Sequence, residues 1–293
     1  NIQMKTINKM LGAAIAVAAL AGVTSPAWAA LSAAEVARLG ADLTPMGAEK
    51  AGNKDGTIPA WSGGLCAPPA GWTPAQGYVD PFPGDKVLFT ITKANAAQYK
   101  DKLTPGTLAM LNKYDNFKMN VYQTRRTACL PQEAYDVIKD MSTKIELEGF
   151  GFKGGFSYAP FPIPKNGLEA IWNHVPRYLG GGVDRQFNAF PVRASGDYYK
   201  IGTEERRVFF RNLDQPKDNL LGVFMSRFLA PATLEGTVFL VHEPIDQVKE
   251  TRSAWIYNSG QRRVRRAPDL SYDNINDGTE GLRTTDQFDA FNG

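Results

Sequence analysis

The sequence predicts an α+β fold in which helices come first and antiparallel strands follow. Helix patterns with recognisable caps occur before residue 192, and short apolar runs separated by turn residues come after it. No helical pattern separates these runs, which argues against the βαβ alternation of a parallel sheet. We therefore expect residues 30–293 to form one domain with an extended arm (30–86), a helix-rich part (87–191) and a strand meander (192–293).

Residues 1–29 have the three parts of a cleavable signal peptide. A positive region with Lys5 and Lys9 precedes the apolar run Leu11–Val23 and the small-residue cleavage site at Ala27-Trp28-Ala29. An uncleaved anchor is the alternative, but the run is shorter than the roughly 20 residues that span a bilayer. We therefore expect export to the periplasm of a Gram-negative bacterium, with outer-membrane association as a variant, and a mature chain that does not span the membrane.

The mature chain is nearly neutral. Cleavage removes two lysines and no acidic residue, which lowers the net charge from +3 to +1. Nucleic-acid-binding domains normally carry a large basic excess, so we expect no nucleic acid among the partners.

Residues 44–86 are rich in proline and glycine, which excludes a regular helix or a central strand. Aromatic residues are nevertheless spread through them. They are Trp61, Trp72, Tyr78 and Phe82. This pattern indicates an extended arm that packs its aromatic side chains on the body of the protein.

Capping residues predict where the helices begin. Ser32 and Glu35 have the spacing of a capping box, and Thr104 precedes a proline at a first helical position. Asn166 and Glu169 predict a third capped start. The predicted helices are residues 33–39, 93–102, 105–114, 131–141 and 168–178.

Alternating apolar runs predict the strands. They are residues 87–91 and 121–127, and then 197–202, 206–212, 220–229, 236–243, 253–257 and 261–266. The last two are joined by Asn258-Ser259-Gly260, which is typical of a hairpin connection.

Apolar side chains occur at both alternating positions of the late strands. Such a pattern is unusual in an antiparallel sheet with one solvated face, and it suits a curved, open sheet with helices or a lipid in its concavity. An ordinary packed core is the alternative. The predicted cavity-lining residues are Val208, Phe210, Phe224, Phe228, Phe239, Trp255 and Tyr257.

The chain contains two cysteines, Cys66 and Cys129. In an exported protein two cysteines favour a disulfide, and two free thiols are the alternative. The bridge would join residues 63 apart, which on the chain-entropy model stabilises the fold by about 4 kcal/mol.

Four arginines surround Val264 on the last predicted strand. They are Arg262, Arg263, Arg265 and Arg266. Alternation makes both faces of this strand basic, which fits a surface for an anionic partner or lipid headgroup. The alternative is a solvated face balanced by Asp269, Asp273 and Asp277.

No motif in the sequence predicts catalysis, a metal or a cofactor. The glycines of Gly149–Gly154 match a dinucleotide pattern, but prolines follow instead of a helix. Ser157 lacks the closing glycine of a nucleophile elbow, and His174 and His242 are isolated. Asn53–Gly56 lacks the ligand spacing of a calcium loop.

Three segments together resemble the family known as domain of unknown function 1329. They are Leu43–Gly64, Ile171–Tyr178, which contains Trp172-Asn173-His174 and Arg177-Tyr178, and Trp255–Pro268. The resemblance implies a fold similar to the LolA/LolB lipoprotein carriers, an open, curved antiparallel sheet with helices on its concave side. Members are typically longer, so we expect this chain to be truncated at its C-terminus.

The resemblance also implies a function and partners. It favours a periplasmic carrier or accessory protein that binds a hydrophobic ligand, such as a lipid, an acyl chain or a lipoprotein, in envelope transport. RND-type exporters and an outer-membrane barrel family are the implied partners, and no catalytic residue is implied. The alternatives are a non-catalytic structural partner of an envelope export complex and, with less support from the residues, an envelope hydrolase.

Overall fold

The structure is a computed structural model that describes residues 30–209, 212–213, 217–246, 248–267, 274–275 and 278–284. The predicted signal peptide lies outside these residues. The described chain divides into two compact units. We call Leu31–Thr143 with Ser157–Gly180 the helical unit, and Lys144–Phe156 with the described residues from Gly181 onward the sheet unit.

The helical unit contains four short α-helices and one two-stranded sheet. The helices are α1 (Ala33–Arg38), α2 (Pro105–Lys113), α3 (Gln132–Met141) and α4 (Gly167–His174), with 3₁₀ turns at Pro74–Gln76 and Ala96–Lys102. The strands β1 (Phe89–Ile91) and β2 (Met119–Val121) pair antiparallel. Leu111, Ile91 and Ala96 form a buried cluster under them.

The predicted caps are confirmed. The Glu35 amide donates to the Ser32 Oγ at 3.3 Å, and the Ser32 amide donates to the Glu35 carboxylate at 2.8 Å. The Asn166 side chain accepts from the amide of Glu169 at 2.9 Å. These bonds satisfy amides that a helix start leaves without intrahelical partners.

Backbone contacts hold the arm against residues 126–129. The Arg126 guanidinium donates to the carbonyl oxygens of Glu49, Lys50, Ala51 and Pro59 at 2.6 to 3.5 Å. The Trp61 indole donates to the Ala128 carbonyl at 2.9 Å. The arm is therefore ordered by hydrogen bonding of its backbone, although it contains almost no regular secondary structure.

The predicted disulfide is present beside these contacts. Cys66 and Cys129 are bonded with their Cα atoms 5.2 Å apart, and the Leu65 amide donates to the Thr127 carbonyl at 2.9 Å. Gly64 has a φ of 79°, and a Cβ there would lie 2.2 Å from the Ala128 oxygen. Glycine is required at this position because the two chain segments approach so closely.

The prediction that the arm packs its aromatic side chains is wrong for Tyr78. Its side chain is 109% exposed, whereas Trp61, Trp72 and Phe82 are partly buried. Trp72 bonds to the carbonyl of Gly77 within the arm itself. The Trp72 side chain is therefore held by a local backbone contact, and the Tyr78 side chain extends into solvent.

The sheet unit is built on a six-stranded antiparallel meander in the order β10-β9-β8-β7-β6-β5. The strands are β5 (Gly182–Ala189), β6 (Ile201–Phe209), β7 (Leu220–Ala230), β8 (Val238–Pro244), β9 (Ser253–Asn258) and β10 (Arg263–Arg266). Its edges, β5 and β10, do not pair with each other. The predicted α+β class with an open antiparallel sheet is confirmed; helices on a concave side stay a prediction.

The sequence misplaced the first strands of this sheet. β5 lies within the segment predicted to be helix-rich, and residues 197–200 belong to the β5–β6 connection rather than to a strand. The predicted strands 197–202 and 206–212 are replaced by the single strand β6. The middle of β6, from Glu204 to Arg207, is charged, and these side chains form ion pairs across and along the strands.

The glycine pattern at Gly149–Gly154 lies in a short hairpin and is not followed directly by the helix that a dinucleotide site requires. β3 (Glu146–Glu148) pairs antiparallel with β4 (Gly151–Lys153), and Gly149 in the turn has a φ of 57°. Phe152 is fully buried. Among the described helices, none has the length and apolar character needed to cross a membrane.

We predict that the Arg126 contacts stabilise the helical unit. Arg126→Gln should lower the free energy of unfolding in urea by about 2 kcal/mol, because several carbonyl groups lose a charged donor. Arg125→Gln is the matched control. Arg125 is ion-paired with Asp85 at the surface, where such pairs contribute little, so its replacement should barely move the midpoint. Equal effects of the two variants would contradict this account.

Candidate functional site

The strand register assigns each side chain of the large sheet to one of two faces, because neighbours directly opposite each other share a face and successive residues alternate. One face, which we call the core face, carries the buried side chains Phe209, Phe228, Val241 and Ala254. The opposite face carries a contiguous apolar group that we call the apolar stripe. Its members are Val208, Val223, Met225, Val238, Leu240, Trp255 and Tyr257.

The apolar stripe is partly accessible along its whole extent. Every one of its seven side chains is half-buried, and none reaches the burial of Phe228 or Val241 on the core face. Met225 lies opposite Leu240, which in turn lies opposite Trp255. With Val208 of β6 opposite Val223 of β7, the stripe crosses four adjacent strands as a continuous apolar surface.

A histidine lies within this surface. The His242 ring meets the Trp255 ring edge-to-face, with centroids 5.0 Å apart. Burial of the imidazole, and then the positive charge of Lys217, lower the pKa of His242 below its ordinary value. The ring is therefore neutral at pH 7 and adds no charge to the stripe.

The two ends of the stripe differ in charge. Toward β5, Arg206 pairs with Asp184 at 3.3 Å and with Glu204 at 3.2 Å. Toward β10, the Arg266 guanidinium lies 5.8 Å from the centre of the Trp255 ring and donates to the Ser253 hydroxyl at 3.2 Å. Arg266 thus has a cation–π contact and a neutral hydrogen-bond partner, whereas Arg206 has two carboxylates.

The core face holds a buried ion cluster. The Glu205 side chain is 2% exposed, and both its oxygens accept from Arg185 at 3.1 Å while Arg207 lies 3.8 Å away. A carboxylate at this depth needs such partners, because burying an unpaired charge is very costly. Arg207 also faces the Phe224 ring at 5.7 Å. The cluster therefore belongs to the packed side of the sheet.

The predicted cavity residues do not form one group. Val208, Trp255 and Tyr257 lie on the stripe face, whereas Phe224, Phe228 and Phe239 lie on the core face. The Phe228 and Phe239 rings pack edge-to-face at 6.1 Å, and Phe210 lies outside the described residues.

Four members of the stripe were missed by the sequence analysis. They are Val223, Met225, Val238 and Leu240. Alternation predicts that Val223 and Met225 share one face of β7 and that Val238 and Leu240 share one face of β8. The sequence does not give the register between strands, which brings these pairs onto the same face as Trp255.

The four arginines of the β9–β10 hairpin are exposed, but they do not lie on one face of it. Arg262 lies in the turn with a φ of 52°, because the pairing of Asn258 with Arg263 already closes the strands. β10 therefore begins at Arg263, two residues after the start of the predicted strand 261–266. Arg263 and Arg265 lie on the core-face side of β10, and Arg266 lies on the stripe side. Asp269, Asp273 and Asp277 lie outside the described residues.

The groups considered for catalysis are engaged in local structure. Ser157 is fully buried and its hydroxyl accepts from the Ala159 amide at 3.3 Å. His174 ends α4 and lies 3.1 Å from Arg177. Within the described residues there is no group of three or more metal-binding side chains.

We predict that the core-face cluster is structural. Glu205→Gln should lower the free energy of unfolding by about 2 kcal/mol, because the charge-assisted bonds from Arg185 and the ion pair with Arg207 are lost in a buried site. The control is Glu204→Gln on the neighbouring, more exposed position of the same strand, which should cost less than about 1 kcal/mol. Chemical denaturation of both variants would measure this, and a larger loss for Glu204→Gln would refute it.

Comparisons with known proteins place this geometry in a family. The model of the protein of unknown function family DUF1329 matches residues 90–293. The "Uncharacterized protein PA3922" of Pseudomonas aeruginosa is 46% identical over 298 residues, which is 99% of this chain and 65% of that protein. The chain therefore spans somewhat less than two thirds of the length of this relative.

A solved structure was also matched. It is a crystallised domain from Vibrio parahaemolyticus described as an outer membrane lipoprotein-sorting protein domain, with 17% identity and a TM-score of 0.28 over 42% of this chain and 47% of that one. No ligand is inferred from so distant a likeness. The family model covers more than half of the chain, so this protein belongs to the DUF1329 family of proteins of unknown function.

Proposed function

We propose that the protein is a periplasmic carrier or accessory protein that binds a hydrophobic ligand on the apolar stripe during cell-envelope transport. The ligand is a lipid, an acyl chain or an acylated protein. The observation that carries the proposal is the stripe itself: seven contiguous apolar side chains, all half-buried, on the sheet face opposite the buried core.

A contiguous apolar surface of this kind has a thermodynamic cost in water. Each square ångström that a ligand covers contributes about 25 cal/mol, and exposed apolar patches of several side chains on monomers commonly mark binding sites. The core face already buries the large side chains that the sheet needs for stability, such as Phe209 and Phe228. The stripe is therefore available for a ligand without loss of the packed core.

The stripe also has a firm base. Its side chains lie on β6, β7, β8 and β9, each of which is hydrogen-bonded to a neighbouring strand on both sides. Interior strands hold their side chains in defined positions, and Trp255 is fixed further by the His242 ring on one side and Arg266 on another. Pre-organisation of this kind lowers the entropy cost of binding.

The predicted signal peptide supplies the location. A carrier in the periplasm must shield apolar groups from water between two membranes, and it needs no catalytic residue to do so. Participation of an RND-type exporter and an outer-membrane barrel as partners follows from the family resemblance and is part of the proposal.

We predict that Leu240→Lys abolishes binding of the neutral apolar dye N-phenyl-1-naphthylamine, because it places a charge at the centre of the stripe. The measurement is a fluorescence titration of the full-length mature protein. Gln186→Lys is the matched control: it introduces the same charge on the same face but at the exposed edge strand β5, and it should bind like wild type.

Urea unfolding of both variants separates a loss of binding from a loss of folding. Organic extraction of the purified wild-type protein followed by lipid mass spectrometry provides an independent readout. A wild-type protein that binds no dye and carries no extractable lipid would refute the carrier proposal.

A second candidate function is a non-catalytic interaction partner in an envelope export complex. It is favoured by the tip of the β5–β6 hairpin, where Phe190, Val192 and Tyr198 are 50% to 66% exposed. The Phe190 and Tyr198 rings pack edge-to-face there, with their centroids 5.9 Å apart. This function requires no ligand on the stripe, so Leu240→Lys would leave partner capture from envelope extracts intact, whereas Tyr198→Ser would weaken it.

A further inference from the structure

We infer that the ligand of the apolar stripe is an anionic amphiphile whose charged headgroup contacts Arg266. This inference rests on the proposed function and names the ligand class of the same surface. It concerns the single arginine that the structure places on the stripe side of β10, and it does not involve the other three arginines of the hairpin.

The strand register aligns an apolar track with a cation at its end. Met225, Leu240 and Trp255 lie directly opposite one another on β7, β8 and β9, and Arg266 lies opposite Trp255 on β10. Neighbouring strands are about 4.8 Å apart, so the track from Met225 to Arg266 is roughly 14 Å long. An extended alkyl chain of about a dozen single bonds of ~1.5 Å covers that length.

The charges on this face favour the Arg266 end for an anion. At the other end, Arg206 is neutralised by Asp184 and Glu204. Arg227, another exposed arginine on this face, lies directly opposite Glu204. Among the described residues no carboxylate contacts Arg266, whose partners are the Trp255 ring and the Ser253 hydroxyl.

The geometry at Arg266 suits recognition of an oxyanion. A guanidinium has five N–H donors in a planar fork that matches carboxylate and phosphate groups, and the Ser253 bond occupies part of them. The cation–π contact with Trp255 holds the fork beside the apolar track. A ligand that lays its chain on Leu240 and Trp255 therefore presents its head to the remaining donors.

The test compares three probes with the same twelve-carbon chain and different heads: dodecanoate, dodecan-1-ol and dodecyltrimethylammonium. Each displaces N-phenyl-1-naphthylamine from the full-length mature protein at pH 8 and 0.15 M salt, where long-range attraction is screened within about 8 Å. Wild type should bind dodecanoate about tenfold more tightly than dodecanol, and the cationic probe least, because a direct charge-assisted contact is of that size.

Variants assign the effect to one residue. Arg266→Gln should weaken dodecanoate about tenfold more than it weakens dodecanol and the dye, and Arg266→Lys should restore part of the difference. Arg265→Gln is the matched control, since it removes the same charge from the next residue on the opposite face, and it should behave like wild type.

The outcomes separate the inference from the function on which it rests. Dye binding with equal affinity for all three probes would overturn the inference and leave the carrier function standing. Equal losses of dodecanoate affinity in Arg265→Gln and Arg266→Gln would also overturn it, because the whole basic edge would then be attracting anions. Absence of dye binding in wild type would refute the proposed function itself.

Discussion

The pairing register of β6, β7 and β8 is the constraint on which the sheet unit depends. Because side chains alternate between faces, a slip of one residue in any ladder would move every side chain of that strand to the other face. A slip of β8 would exchange Leu240 with Phe239 or Val241 and would move His242 to the core face. The division into a core face and an accessible face is thus a property of the pairing rather than of composition.

The buried ion cluster of Glu205 also favours the observed pairing register. Alternation along β6 keeps Arg207 on the same face as Glu205 in any register, but only the observed register places Glu205 directly opposite Arg185 of β5. A buried pair of this kind adds little net stability compared with apolar residues, but it penalises any arrangement that leaves one charge unpaired. The charged middle of β6 therefore favours one alignment among neighbours that apolar residues alone would tolerate.

Local chemistry was predictable from the sequence, and long-range pairing was not. The capping box at Ser32 and the disulfide between Cys66 and Cys129 depend on short-range spacing or on a unique cysteine pair. The start of β5 was missed because glycines and alternating polar residues resemble a loop, and β6 was divided because its ion pairs depend on strands distant in sequence. The stripe required the register of four strands, so the sequence identified only Val208, Trp255 and Tyr257 among its members.

The hydrogen bonds from Arg126 determine which residues of the extended arm can be substituted without loss of its attachment. Its four acceptors are main-chain carbonyls, which every amino acid provides. The identities of Glu49, Lys50 and Ala51 are therefore almost irrelevant to the attachment, while Gly64 and the two cysteines are not. The side chains of this segment can therefore diverge among homologues, provided that Arg126, Gly64 and the two cysteines are retained.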